Sequence, residues 1–185
     1  MSKGYFEGEV IARWLTHKGP DRDMELTAPF AFVRASGERW DVPIGAKING
    51  ASIPRLGWIF GPPYVGNYRR ASVVHDYYCE TESRDCDETH RIFYEGCRTD
   101  GVNKIIAKKM YAAVKLGGPK WSTAPRDLEL LSVRGLERIS KGDRVNIPPI
   151  HDIETLNEVL SWIEEEDPSL DILDIKTEAL RSAQL

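Results

Sequence analysis

Over the first 48 residues, apolar positions fall in short β-rich runs. From residue 68 they recur every three to four residues, so the chain reads as strands followed by helices. Residues 9–15 and 30–34 are the strand-like runs, separated by the breaker Gly19-Pro20-Asp21, and Ser36-Gly37-Glu38 marks a tight turn before a third run at 39–43. These predict a small antiparallel sheet or meander. Loop chemistry follows at 49–55 and 61–66, where glycines permit unusual backbone angles and prolines exclude helix.

Residues 68–80 contain no Gly or Pro, and Ala71, Val74 and Tyr78 form one buried face. A second helix is expected from Asp85, which stands three residues before Glu88 as in a capping box, with His90, Phe93 and Cys97 on its inner stripe. Asp100-Gly101 ends it. A third helix spans about 103–116 with Ile106, Met110 and Ala113 inward, stopped by Gly117-Gly118-Pro119. Beyond Trp121 the pattern weakens until the stiff connector at 147–150. Then Ile153, Leu156, Val159, Leu160 and Ile163 make an amphipathic helix, and Leu170, Ile172, Leu173 and Ile175 a last apolar run. The expected fold class is α+β: an N-terminal antiparallel β-meander packed on a three-helix core (1–121), a connector (122–150) and a C-terminal helical arm (151–185).

Charge sharpens that division. The arm carries ten carboxylates against Lys176 and Arg181, a net of −8, so the remainder carries about +4 within an overall −4. An acidic arm of this kind is expected to dock on a basic surface, the protein's own or a neighbour's, and its aliphatic stripe makes it a candidate assembly element. Other copies of the chain, or other proteins of an assembly, are the expected partners. No nucleic-acid partner is expected, and no stretch approaches the roughly 20 apolar residues of a membrane span. The first residues lack a secretory pattern, and three cysteines are an odd number for a disulfide framework, so residence in a cytoplasm is expected.

The segments carrying chemistry are residues 69–79, which include His75-Asp76, and residues 86–95, which include Cys86 and His90. Together with Val42-Pro43-Ile44-Gly45, Asn49-Gly50-Ala51-Ser52-Ile53-Pro54-Arg55, Gly61-Pro62-Pro63 and the stretch 110–117, they resemble a phage and prophage family known as domain of unknown function 1353, over roughly residues 5–118. That family is in turn distantly similar to bacterial phospholipases A2. The resemblance implies a host cytoplasm, or a virion, as the place of action.

For a hydrolase, the resemblance implies His75 as general base and Asp76 as calcium carboxylate, with a glycine loop completing the calcium site and a later Asp orienting the imidazole. Here the loop Asp is Asn49 and the orienting Asp is His90. Both departures weaken calcium binding and base orientation together, so a structural or adaptor role on a degenerate phospholipase-like scaffold is expected before a calcium-dependent acyl-ester hydrolase.

The departures form a pattern of their own: His75-x3-Cys79-x6-Cys86-x3-His90. Residues four apart share a helix face, and an antiparallel helix hairpin would bring all four together as a closed zinc set. Two alternatives stand beside it. Cys79 and Cys86 are buried thiols or a disulfide stapling the turn, and His90 is a core histidine bonded to Asp76 or to a backbone carbonyl. Cys97 lies outside the pattern and reads as core. Arg55, Arg69 and Arg70 are candidates for a phosphate, with an exposed helix face the simpler account of the pair.

Overall fold

The computed structural model describes residues 3–15, 23–49, 66–121 and 152–183. The breaker at 19–21, the loops at 50–55 (with Arg55) and 61–65, and the connector 122–150 lie outside the described residues.

Six strands are present among the described residues: β1 (Tyr5–Glu7), β2 (Ala12–Trp14), β3 (Met24–Leu26), β4 (Phe30–Val33), β5 (Arg39–Val42) and β6 (Lys47–Ile48). The α+β expectation holds, but the single meander resolves into two antiparallel three-stranded sheets, ordered β1-β4-β5 and β2-β3-β6. Strand β4 shows why. Every one of its residues is buried, so it needs neighbours on both edges and cover on both faces; β1 supplies one edge with Phe6 opposite Phe32. Strand β5 alternates, turning Trp40 and Val42 inward.

A single 3₁₀ turn, Gly66–Tyr68, leads into α1 (Arg69–Thr81), which stops at Glu82 in the left-handed region (φ 49°). Helix α2 (Cys86–Thr99) is capped as the sequence implied, the Asp85 carboxylate accepting from the Glu88 amide at 3.0 Å. The other half of the capping box does not form. Glu88 instead meets Arg34 at 2.5 Å, and the same guanidinium forks onto Glu95 at 3.0 and 2.5 Å, tying the end of β4 to α2. Helix α3 (Lys104–Gly117) begins at Asn103, whose side chain accepts from the Ile105 amide at 2.9 Å. Its inner face is displaced from the expected one: Met110 and Ala113 are buried but Ile106 is 45% exposed, because the covered face centres on Ala107, Tyr111 and Val114.

Helices α4 (Ile153–Glu166) and α5 (Leu170–Ser182) form the arm, and both pack on α3 of the same chain. Leu156, Val159, Leu160, Ile163 and Leu173 share one core with Tyr111, Ala112 and Leu116, so the stripe expected to reach a neighbour completes this chain's own interior. The charge asymmetry closes intramolecularly as well. Lys109 pairs with Glu164 at 2.5 Å, and Arg91 pairs with Asp171 at 2.8 Å and Asp174 at 2.6 Å. Lys108, almost wholly buried, reaches the Asp167 carboxylate and the Asp167 and Pro168 carbonyls at the α4–α5 turn, which is how a buried ammonium is tolerated. Ile172 and Ile175, counted with the last apolar run, are exposed at 53% and 72%.

Two cores result. One joins both sheets to α1 through Leu26, Ile48, Phe32, Trp40, Val74 and Tyr78; the other joins α2, α3 and the arm. Helices α1 and α2 lie between them and approach closely at Gly96, where an added Cβ would sit 2.8 Å from the Ala71 Cβ.

Two measurements check the arm's role. In denaturant unfolding, Leu173→Ala is expected to cost about 2–5 kcal/mol and Ile175→Ala within about 0.5 kcal/mol. Truncation after Asn146 should give a molten or insoluble product. A soluble chain with an unchanged cooperative transition would mean the arm is not part of the core.

Candidate metal centre

The hairpin places α1 and α2 antiparallel, and the residues that face each other across its seam are His75 with His90, while Cys79 and Cys86 lie nearer the turn. His75 Nε2 lies 2.9 Å from His90 Nδ1. Cys79 Sγ is 3.5 Å from His75 Nε2 and 3.8 Å from its Nδ1, as the i, i+4 spacing on α1 requires. One ligand atom from each of His75, Cys79 and His90 falls within 4.8 Å of the others, and all three residues are buried. This His-Cys-His cluster has the donor types and burial to hold a metal ion.

Cys86, the fourth residue of the sequence pattern, does not join that set. Its sulfur lies 3.6 Å from the opposite ring nitrogen of His90, Nε2, and 3.7 Å from the Pro119 carbonyl, although it shares an apolar cluster with Cys79 and Trp121. All three cysteines are free thiols, so no disulfide staples the turn. Cys97 is fully buried core.

Proton positions follow from the one group that can only accept. The Pro119 carbonyl lies 3.3 Å from His90 Nε2, so that nitrogen carries the hydrogen and Nδ1 is bare. His90 Nδ1 then accepts from His75 Nε2–H, and His75 Nδ1 is left facing the Cys79 thiol. The carbonyl alternative raised for His90 is therefore the one realised. Both imidazoles are neutral. Burial pulls His75 down to about 4, partly offset by Asp76, and holds His90 well below the usual histidine range, with His75 and Lys115 adding to the effect. Burial also pushes the Cys86 thiol up to about 12, so it is a neutral thiol at rest.

The residues of the calcium alternative meet as well. The Asn49 backbone amide donates to the Asp76 carboxylate at 2.7 Å, and Asp76 is buried. The loop beyond Asn49 lies outside the described residues. Arg70 pairs with Asp100 and covers the Phe6 ring at 4.5 Å, in keeping with a helix-face role.

Sequence reasoning missed Pro119 and Trp121. Gly117-Gly118-Pro119 read only as a helix stop, yet it lays the Pro119 carbonyl on His90, and Trp121 closes over the ring at 6.1 Å while its indole donates to the Arg84 carbonyl at 2.8 Å. A backbone acceptor 29 residues away has no sequence signature.

Residues 24–114 match the model of a family described as "Protein of unknown function (DUF1353)", a stretch running from β3 to near the end of α3 and including every residue of the cluster. An "Uncharacterized protein y4jT" of Sinorhizobium fredii (strain NBRC 101917 / NGR234) is 50% identical over 99 residues, 53% of this chain and 30% of its own length. An "Uncharacterized protein y4iH" of the same organism is 41% identical over 97 residues, 52% of this chain and 41% of its own length. The chain thus spans less than half of either relative. No solved structure matches.

The buried neutral imidazoles give the metal-free protein a defined pH response. The unfolded chain protonates its histidines near 6.5 and the folded His75 only near 4, so this stability is complete above about pH 6.5 and is lost as pH falls towards 4. By pH 5 the loss from His75 alone is on the order of 2 kcal/mol. Urea unfolding at pH 7.5 and pH 5 should show it, and His75→Gln should flatten the difference; a wild-type protein equally stable at both would contradict the neutral pair.

Proposed function

We propose that this chain is a non-catalytic structural or adaptor protein, phage-encoded and acting in a host cytoplasm or a virion. In it, a phospholipase-A2-like layout has exchanged its catalytic pair for a metal-held helix hairpin. The observation that carries this reading is the contact between His75 Nε2 and His90 Nδ1 at 2.9 Å. A general base at His75 needs a carboxylate to orient it and to stabilise the imidazolium, together with access to water. In its place stands a second neutral imidazole, in a seam where His75 has no exposed surface. Burial also leaves His75 a weak base, protonating only near 4.

Zinc is the metal this donor set favours. Two imidazoles and a thiolate are three of the four ligands of a structural site, and the fourth is Cys86, which must turn from the Pro119 carbonyl towards Cys79. Ligand nitrogens of a tetrahedral zinc stand about 3.3 Å apart, given Zn–N of about 2.0–2.1 Å, so the histidine pair has to open by only a few tenths of an ångström. Partners of this scaffold are further copies or other virion proteins, met through surfaces other than the arm's buried stripe.

A second reading, a calcium-dependent acyl-ester hydrolase using His75 and Asp76, draws support from the Asn49–Asp76 contact. One pair of assays separates the two. With calcium and phospholipid vesicles, the wild-type chain is expected to release no more fatty acid than His75→Ala. Purified under reducing conditions, it should carry about one zinc per chain and lose several degrees of Tm in a strong chelator. Calcium-dependent release abolished by His75→Ala would establish the hydrolase instead.

A further inference from the structure

The family match ends at residue 114, but the contacts of the cluster do not. Residues 118–121 form a strap held alternately from two sides. The Gly118 carbonyl accepts from Arg181 Nη1 of α5 at 3.0 Å, and the Pro119 carbonyl accepts from His90 Nε2 at 3.3 Å. Lys120 pairs with Glu178 of α5, and the Trp121 indole donates to Arg84 at the hairpin turn. Arg181 is 2% exposed and also donates to the Lys115 carbonyl at 2.8 Å, so its guanidinium clamps the last turn of α3 to the start of the strap.

We infer that Arg181 is a positioning residue of the metal centre, acting through the carbonyls of Gly118 and Pro119. A metal-ligating histidine characteristically donates its second ring N–H to a carbonyl or carboxylate, which fixes both its tautomer and the direction of its lone pair. Pro119 is that acceptor for His90: with Nε2–H engaged, Nδ1 is bare and aimed at His75 and Cys79. The proline ring fixes φ at residue 119 but not the ψ that aims its carbonyl, and Gly118 lies against His90, where an added Cβ would stand 3.3 Å from Cε1. What holds the strap at this depth is the Arg181 clamp. Removing it lets the carbonyl drift and releases the ring to rotate, and the ligand set loses its alignment. By the same linkage, an ion that fixes His90 fixes the strap and with it α5.

The inference rests on the metal reading, and the experiment separates the two. Zinc and cobalt(II) are titrated, under anaerobic reducing conditions, into the 185-residue wild-type chain, Arg181→Met, Arg181→Lys and Lys109→Met. The last removes an arm–body ion pair remote from the strap. Arg181→Met is expected to weaken zinc binding roughly 10- to 100-fold and to shift the cobalt visible bands. Arg181→Lys should recover part of the affinity, and Lys109→Met should match wild type. Wild-type affinity and spectrum in Arg181→Met would overturn the positioning role while leaving the metal reading intact; a wild-type protein that takes up no metal would overturn both. Should Arg181→Met not fold, hydrogen exchange on the wild type decides: zinc should slow exchange at the amides of Lys120, Trp121 and α5, and unchanged exchange there would overturn the inference.

Discussion

Two imidazoles buried against each other can be satisfied only if every hydrogen along their line points the same way, and the rest of the site is arranged to set that direction. The Pro119 carbonyl accepts and cannot donate, so it fixes His90, which fixes His75, which faces the Cys79 thiol. Neutrality is part of the constraint. A proton added to either ring would give a charge with no solvent and a second ring pressed against it. An ion held by His75, Cys79 and His90 would take the place of the hydrogen bond between the two rings and would leave the outer bond to Pro119 intact. The same seam is therefore a satisfied resting arrangement whose His-Cys-His donors could hold a metal ion.

That constraint explains features of the fold that would otherwise look unrelated. The rings meet because α1 and α2 approach closely, which the missing side chain at Gly96 permits against Ala71. The hairpin is held in place from the sheet side by Arg34, whose guanidinium binds Glu88 and Glu95 on α2. On the other side, the arm covers α3 with an apolar stripe and a rim of ion pairs, and its Arg181 steadies the strap that carries the acceptor. The arm's acidity, the strongest compositional bias in the sequence, is answered by Arg91, Lys104, Lys108, Lys109 and Lys120 of the same chain.

The helices were legible because each is longer than three turns and carries its own signals: Asp85 as a cap, Gly117-Gly118-Pro119 as a stop, and the His90, Phe93, Cys97 stripe on α2. Strands β1, β3 and β6 were not. Two or three residues cannot display a period, and their existence depends on partners such as Val33 opposite Tyr5 and Ile48 opposite Met24. In the site, the spacing from His75 to His90 revealed the hairpin and its facing residues, because helix periodicity is local. Spacing could not tell which ring nitrogen each neighbour would meet, so Cys86 was grouped with Cys79 when it lies on the far side of His90. The arm's destination was open for a related reason: an aliphatic stripe states that it must be covered, and not by which chain.

X-ray absorption at the zinc edge of the zinc-loaded protein tests the central claim, that this seam is a metal-holding lock rather than a degraded catalytic pair, most directly. The account predicts a four-coordinate shell with two nitrogens at about 2.0–2.1 Å and sulfur at about 2.3 Å, the sulfur signal falling in Cys79→Ser. A sulfur-free, six-coordinate shell of oxygen and nitrogen, unchanged in Cys79→Ser, would place the ion elsewhere on the surface and contradict it.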